Sequence, residues 1–208
     1  MKKQFKYLVI TCFLCLKMQA MMAQMNDGAR FGLVAGISGS SLYDDTQADD
    51  KKKRIGYNLG VFGQFPLSKS RFSIRPELLF STKGATFDFK NANRPKLKLS
   101  YVELPVSFQW HLIGILNLHA GMYASLLTGS SGTLEDSNGS IIDYEFDKSN
   151  FSSIDYGYQL GGGLDLGGLG LHFRVSRGLK EIAEKGSIQD YVGNLKNGSW
   201  ALTLNWAF

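Results

Sequence analysis

Three histidines, His111, His119 and His172, are the first residues to weigh for chemistry. No two of them have the local spacing of a zinc site. Both cysteines, Cys12 and Cys15, fall in the extreme N-terminal segment, so no thiolate is at hand to complete a metal set. A histidine acting as general base in acyl transfer needs a serine and a carboxylate brought to it by the fold. The sequence has these residue types but shows no local pairing of them. Gly161-Gly162-Gly163 and Gly167-Gly168 lack the spacing and the following helix of a phosphate-binding loop. They read as close packing and a tight turn. No catalytic, cofactor-binding or metal-ligating residue is assigned on these grounds.

The charges inside the alternating segments say more. Arg75, Glu77, Glu103 and Arg174 all share the polar phase of their segments and fall near the middle of them. Two bases and two acids on an inward face are expected to form one paired network, because an uncompensated buried charge is costly. The competing reading is a selectivity ring in a narrow pore, and such a ring normally carries one sign. Outside the segments, residues 44–54 place Asp44, Asp45, Asp49 and Asp50 before Lys51, Lys52, Lys53 and Arg54. That run has neither the glycine nor the closing glutamate of a calcium loop and reads as self-neutralising solvated charge. Its basic end could rest on the phosphates of surface lipid. Residues 128–150 carry Glu135, Asp136, Asp143, Glu145 and Asp147, an acidic face suited to a partner or a divalent ion.

The elements that position these residues are strands. In a chain of 208 residues with 24 glycines, 4 prolines and 12% aromatics, apolar and polar positions alternate by twos through nearly everything after Arg30. Leu33, Ala35 and Ile37 open the pattern, Val102, Leu104, Val106, Phe108 and Trp110 continue it, and Trp200, Leu202, Leu204, Trp206 and Phe208 close it. Eight strands result. Their connections alternate long and short, with residues 43–54, 88–96, 128–150 and 181–197 long and residues 66–70, 111–114 and 167–169 short. An all-β, eight-stranded antiparallel up-and-down transmembrane β-barrel is the plan that gives every long loop to one end. An even strand count puts both termini at the short-turn, periplasmic end, and lipid forces the sheet to close. The polar face is rich in Gly, Ser, Asn and Gln, which suits a narrow lumen better than a water-facing surface.

The first 23 residues are an address. Met1 to Lys6 is basic, Tyr7 to Leu16 is mostly apolar, and Met18-Gln19-Ala20-Met21-Met22-Ala23 is a small-residue exit. This is the order of a signal peptide, too short to span a bilayer as a permanent helix. Residues 1–23 are therefore expected to be removed, with Ala20 as the other candidate cut, leaving residues 24–208 as the barrel domain. The formal charge of +5 follows the same division. Lys2, Lys3, Lys6 and Lys17 sit in this acid-free segment, and 19 bases against 18 acids remain. A net charge of +1 gives no field to steer nucleic acid.

Several segments carry a family resemblance. They are Phe31-Gly32-Leu33-Val34-Ala35-Gly36, Arg75-Pro76-Glu77-Leu78-Leu79-Phe80-Ser81-Thr82-Lys83-Gly84, Leu99-Ser100-Tyr101-Val102-Glu103-Leu104-Pro105-Val106, Asp155-Tyr156-Gly157 and Trp206-Ala207-Phe208. Together they resemble the PorT-like outer-membrane β-barrel proteins of the Bacteroidota over about Phe31 to Phe208. The resemblance implies an outer-membrane barrel and little about activity. Trp206 and Phe208, aromatic residues on the last alternating strand, look like the C-terminal signal read by the outer-membrane assembly machinery.

The expectation is a small outer-membrane barrel with a closed lumen and no enzymatic activity. Its work would be adhesion, envelope stability or association with an envelope complex. Its partners would be outer-membrane lipid and lipopolysaccharide, with no nucleic acid and no cofactor. The alternatives are a narrow channel for small solutes and a lipid-modifying barrel enzyme.

Overall fold

The computed structural model describes residues 28–43, 52–67, 71–86, 96–135, 141–145, 152–182 and 196–208. The expected signal peptide, residues 1–23, and the acid-base run over 44–51 lie outside the described residues. Among the described residues nine strands are present: β1 (Arg30–Tyr43), β2 (Lys52–Pro66), β3 (Phe72–Thr86), β4 (Lys96–Ile113), β5 (Leu116–Glu135), β6 (Ile141–Glu145), β7 (Ile154–Leu166), β8 (Leu169–Glu181) and β9 (Lys196–Ala207). All pairings are antiparallel. Eight strands close a ring, β1-β2-β3-β4-β5-β7-β8-β9, with β9 returning to β1 from Gly32↔Ala207 to Tyr43↔Lys196. The chain is an eight-stranded antiparallel β-barrel, without helices among the described residues.

The short connections, together with Gly28 and Phe208, mark one end of the barrel. There Phe208 N donates to Phe31 O at 3.0 Å and Ala207 N to Gly168 O at 2.7 Å. The other end holds the long connections, and there the structure departs from the sequence reading. Residues 128–150, expected as one polar loop, contain the last eight residues of β5 and the whole of β6, paired from Ser131↔Glu145 to Glu135↔Ile141. Beyond the membrane both faces of a strand meet water, so β5 can run on without the apolar alternation that marks its lower part. The wall is consequently uneven, from 12 residues in β9 to 20 in β5.

Packing inverts the order of a soluble protein. Leu33, Leu59, Leu104, Leu160 and Leu204 are 48–59% exposed on the outside, whereas Arg75, Gln109, Asn117 and Gln159 are at most 2% exposed within. Polar groups fill the lumen, and the apolar face is left for a hydrocarbon solvent. Aromatic residues thicken the lower rim, where Phe72 stacks on Phe108 at 5.1 Å and Phe31 meets Phe65 edge-on at 5.6 Å. Such belts sit at the interface between hydrocarbon and water. Trp206 and Phe208 stand on this lipid-facing side, 58% and 66% exposed.

Candidate functional site: the filled lumen

The inward phase of β3, β4, β7 and β8 brings charged side chains into the middle of the barrel. Arg75 and Glu77 are neighbours on the inward face of β3, and Arg75 Nε donates to Glu77 Oε1 at 2.8 Å. From across the lumen Arg174 Nη1 donates to Glu77 Oε2 at 2.9 Å. Each carboxylate oxygen thus holds one guanidinium. The rest of Arg75 is also engaged, with Nη2 donating to Asn205 Oδ1 at 3.0 Å and its carbon centre 3.8 Å from the Phe62 ring centroid. Phe62 belongs to a small apolar cluster with Val34 and Leu79, so the arginine is sandwiched between an apolar floor and a carboxylate.

Glu103, the fourth residue singled out from the sequence, has a different ion partner. Its Oε2 contacts Lys83 Nζ, which also lies 3.7 Å from Asp155 Oδ2. Glu103 and Asp155 share one register row, through Glu103↔Ser125 and Ser125↔Asp155. Lys83 stands 4.3 Å from the Tyr123 ring and 5.4 Å from that of Tyr101. Tyr123 Oη donates to Asp155 Oδ2 at 3.3 Å, and Asn197 Nδ2 donates to the same oxygen at 2.9 Å. These six charges therefore form two ion clusters, Arg75–Glu77–Arg174 and Lys83–Glu103–Asp155. The side chains of Lys83 and Asp155 are each about 4% exposed. The sequence reading did not single them out as charges of the interior, although both keep the inward phase of their strands.

The histidines gather toward the short-turn end. His172 Nε2 lies 2.9 Å from Asp165 Oδ1, and Asn117 Nδ2 donates to Asp165 Oδ2 at 2.7 Å. The His119 and His172 rings are 5.7 Å apart. This packing requires glycine at position 163, since a Cβ there would meet the His172 ring. Among the described residues no group of three potential ligands is placed to hold a metal. At the mouth an open bowl of about 670 Å³ is lined by Arg30, Gln64, Arg71, Ser73, His111 and Asp165, among others. Ser73 Oγ stands 3.1 Å from His111 Nε2, a nucleophile-to-base distance. Ser73 is only 1% exposed, and its hydroxyl also donates to Gln109 Oε1 at 3.3 Å. Asp165, the carboxylate a triad would need, is engaged by His172 and Asn117. The arrangement braces the mouth.

Comparison with known proteins agrees with the geometry. The chain matches the family model "Outer membrane protein beta-barrel domain" over residues 22–184 and belongs to that family. It is an outer-membrane protein. Its structure is similar to that of Ail, the attachment invasion locus protein of Yersinia pestis, solved in complex with the heparin analogue sucrose octasulfate. That match has a TM-score of 0.50 and 12% identity, covering 88% of this chain and 100% of Ail. It is similar also to Neisserial surface protein A, with a TM-score of 0.52, 12% identity and the same coverages. At that identity the likeness is one of fold. No curated protein matches the chain by sequence.

Proposed function

We propose that this protein is a closed outer-membrane barrel of the PorT-like branch, working through its outer surface in adhesion, envelope stability or docking to an envelope complex. The observation that carries the reading is the lumen, where the side chains of six charged residues, none more than 9% exposed, are paired across the space a solute would need. In a barrel of eight strands the interior is just wide enough for side chains. Removal of residues 1–23, recognition of Trp206 and Phe208 by the assembly machinery, and contact with lipopolysaccharide belong to the same proposal. The resemblance to Ail and Neisserial surface protein A supports a surface role without naming a ligand. Purified protein in a planar bilayer should give no discrete conductance steps, and reproducible steps would replace this reading with a narrow channel.

The orientation is part of the proposal, with the long connections outside the cell and both termini in the periplasm. Ser137→Cys and Gly114→Cys test it, because the only native cysteines lie in the expected signal peptide. A Cβ at Gly114 meets nothing within 4 Å, so that substitution is tolerated. An impermeant thiol reagent on whole cells should label the first variant and spare the second. The reverse pattern would invert the barrel.

A further inference from the structure

The outward wall of β8, β9 and β1 can be read row by row from the short-turn end. Leu169, Trp206 and Leu33 form one row, Leu171, Leu204 and Ala35 the next, and Phe173, Leu202 and Ile37 the third. Above them the rows change character. Val175, Trp200 and Gly39 are followed by Arg177, Gly198 and Ser41. Large aliphatic side chains give way to small ones on β9 and β1, and on β8 a cation, Arg177, stands between the outward Val175 and Leu179.

At this level the register between β8 and β9 shifts. The two strands pair without a break from Leu169↔Trp206 to Arg177↔Gly198, and pairing resumes only at Glu181↔Lys196. Between those pairs β8 has three residues against one on β9, a bulge in the seam. Beside the bulge lies an open groove of about 630 Å³, lined by Ser41, Phe173, Val175, Arg177, Gly198 and Trp200, among others. Its floor is aromatic, with Phe173 and Trp200 stacked at 6.5 Å and 26°. The indole can lie flat there only because residue 39 has no Cβ, which would fall on the Trp200 ring. Tyr158 pairs with Arg177 on the other side and is 43% exposed on the same outer surface.

From these features we infer that the groove docks the phosphorylated sugar headgroup of an outer-leaflet glycolipid, the lipid A portion of lipopolysaccharide. A sugar phosphate has the three properties the groove matches. Its anionic oxygens suit the planar fork of Arg177. Its ring faces suit the Trp200 and Phe173 shelf, and its acyl chains continue downward along Leu202, Ile37 and Leu204. Charge complementarity selects this occupant over a neutral apolar partner, and the groove lies on the outward wall in the half of the barrel nearer the long connections, where a cation set among aromatic residues suits a headgroup. The inference rests on the proposed orientation, since only long connections outside the cell bring this rim to the glycolipid leaflet.

Binding is tested on detergent-purified full-length protein by native mass spectrometry, titrating bisphosphorylated lipid A, monophosphoryl lipid A and phosphatidylglycerol. Micelles carry no sidedness, so this result is independent of the thiol-labelling test of orientation. Wild-type protein should hold bisphosphorylated lipid A at least about tenfold more tightly than phosphatidylglycerol, and Arg177→Ala should remove that preference. Gly198→Val, which fills the groove while keeping the cation, should weaken lipid A similarly. Lys98→Ala, a basic residue on β4 away from the groove, should leave it unchanged. Retained heat-modifiable gel mobility identifies variants that still form the barrel, and Trp200→Leu replaces any that does not. Equal affinity for the two lipid classes in wild type, or unchanged lipid A binding in Arg177→Ala, would overturn the inference. An equal loss in Lys98→Ala would overturn it too, by showing only a diffuse basic surface.

Discussion

The two ion clusters in the lumen use three charges each and solve opposite problems. In Arg75–Glu77–Arg174 one carboxylate serves two guanidinium groups, leaving an excess of one positive charge. In Lys83–Glu103–Asp155 one ammonium serves two carboxylates, leaving an excess of one negative charge when both are ionised. Each cluster alone would be an unbalanced burial, and together they are neutral. The choice of cation follows the task. A planar guanidinium can hold a carboxylate oxygen, an amide oxygen and a ring face at once, as Arg75 does. The compact ammonium of Lys83 can sit between two acids and two phenol rings. In the positive cluster both cations bond to one carboxylate, whereas in the negative one two carboxylates share one ammonium, with Tyr123 and Asn197 donating to Asp155 as well.

That contrast can be broken most severely at Glu77. Replacing it with alanine leaves two guanidinium groups facing each other, and unfolding by urea from detergent or lipid should show a loss of about 3–5 kcal/mol. A loss below about 1 kcal/mol would mean that water screens the site as it does an exposed pair. Glu103→Ala should cost less, about 1–3 kcal/mol, because Asp155 remains beside Lys83 to compensate it. If Glu103→Ala proves as damaging as Glu77→Ala, Asp155 does not compensate Lys83 and the difference between the clusters is not real. A neutral contact calibrates both. Gln159 Nε2 donates to Ser107 Oγ at 2.7 Å, and Gln159→Leu should cost about 1 kcal/mol in the same assay, the worth of one ordinary hydrogen bond. The smallest effect is the coupling between Arg75→Ala and Glu103→Ala, which make no ion pair with each other. Their double variant should equal the sum of the singles to within about 0.5 kcal/mol. A stronger coupling would merge the clusters into the single network that the shared inward phase of these residues suggests.

Much of this was legible in the sequence because strand residues alternate by twos. Arg75, Glu77, Glu103 and Arg174 could be put inside by counting, and so could Lys83 and Asp155, which share the phase of Arg75 and Gln159. Phase places a residue on a face, but partners across a lumen depend on strand tilt and shear, which leave no mark on composition. The pairing of Glu103 with Lys83 was therefore out of reach. The same reasoning explains β6. In this barrel alternation marks the stretch whose one face meets lipid, so a short strand beyond it, such as residues 141–145, looks like loop. Of the mouth, His111 near a short turn was readable. Its contact with Ser73 was not, since the residues come from different strands meeting at a rim.

Seven of the eight seams in the barrel join strands that lie close together in the chain, and each can begin as a local hairpin. The β1–β9 seam joins the two ends of the domain. Until its register forms, the sheet is an open ribbon with two unpaired edges and an apolar face, the most aggregation-prone shape such a chain can take. Long-range pairing of this kind is slow because loop-closure entropy must be overcome first. Folding is thus divided unequally in time, with an early phase spread over every hairpin and a late step confined to one strand. A chain interrupted within β9 would lose its only means of closure while keeping nearly all of its membrane-seeking surface.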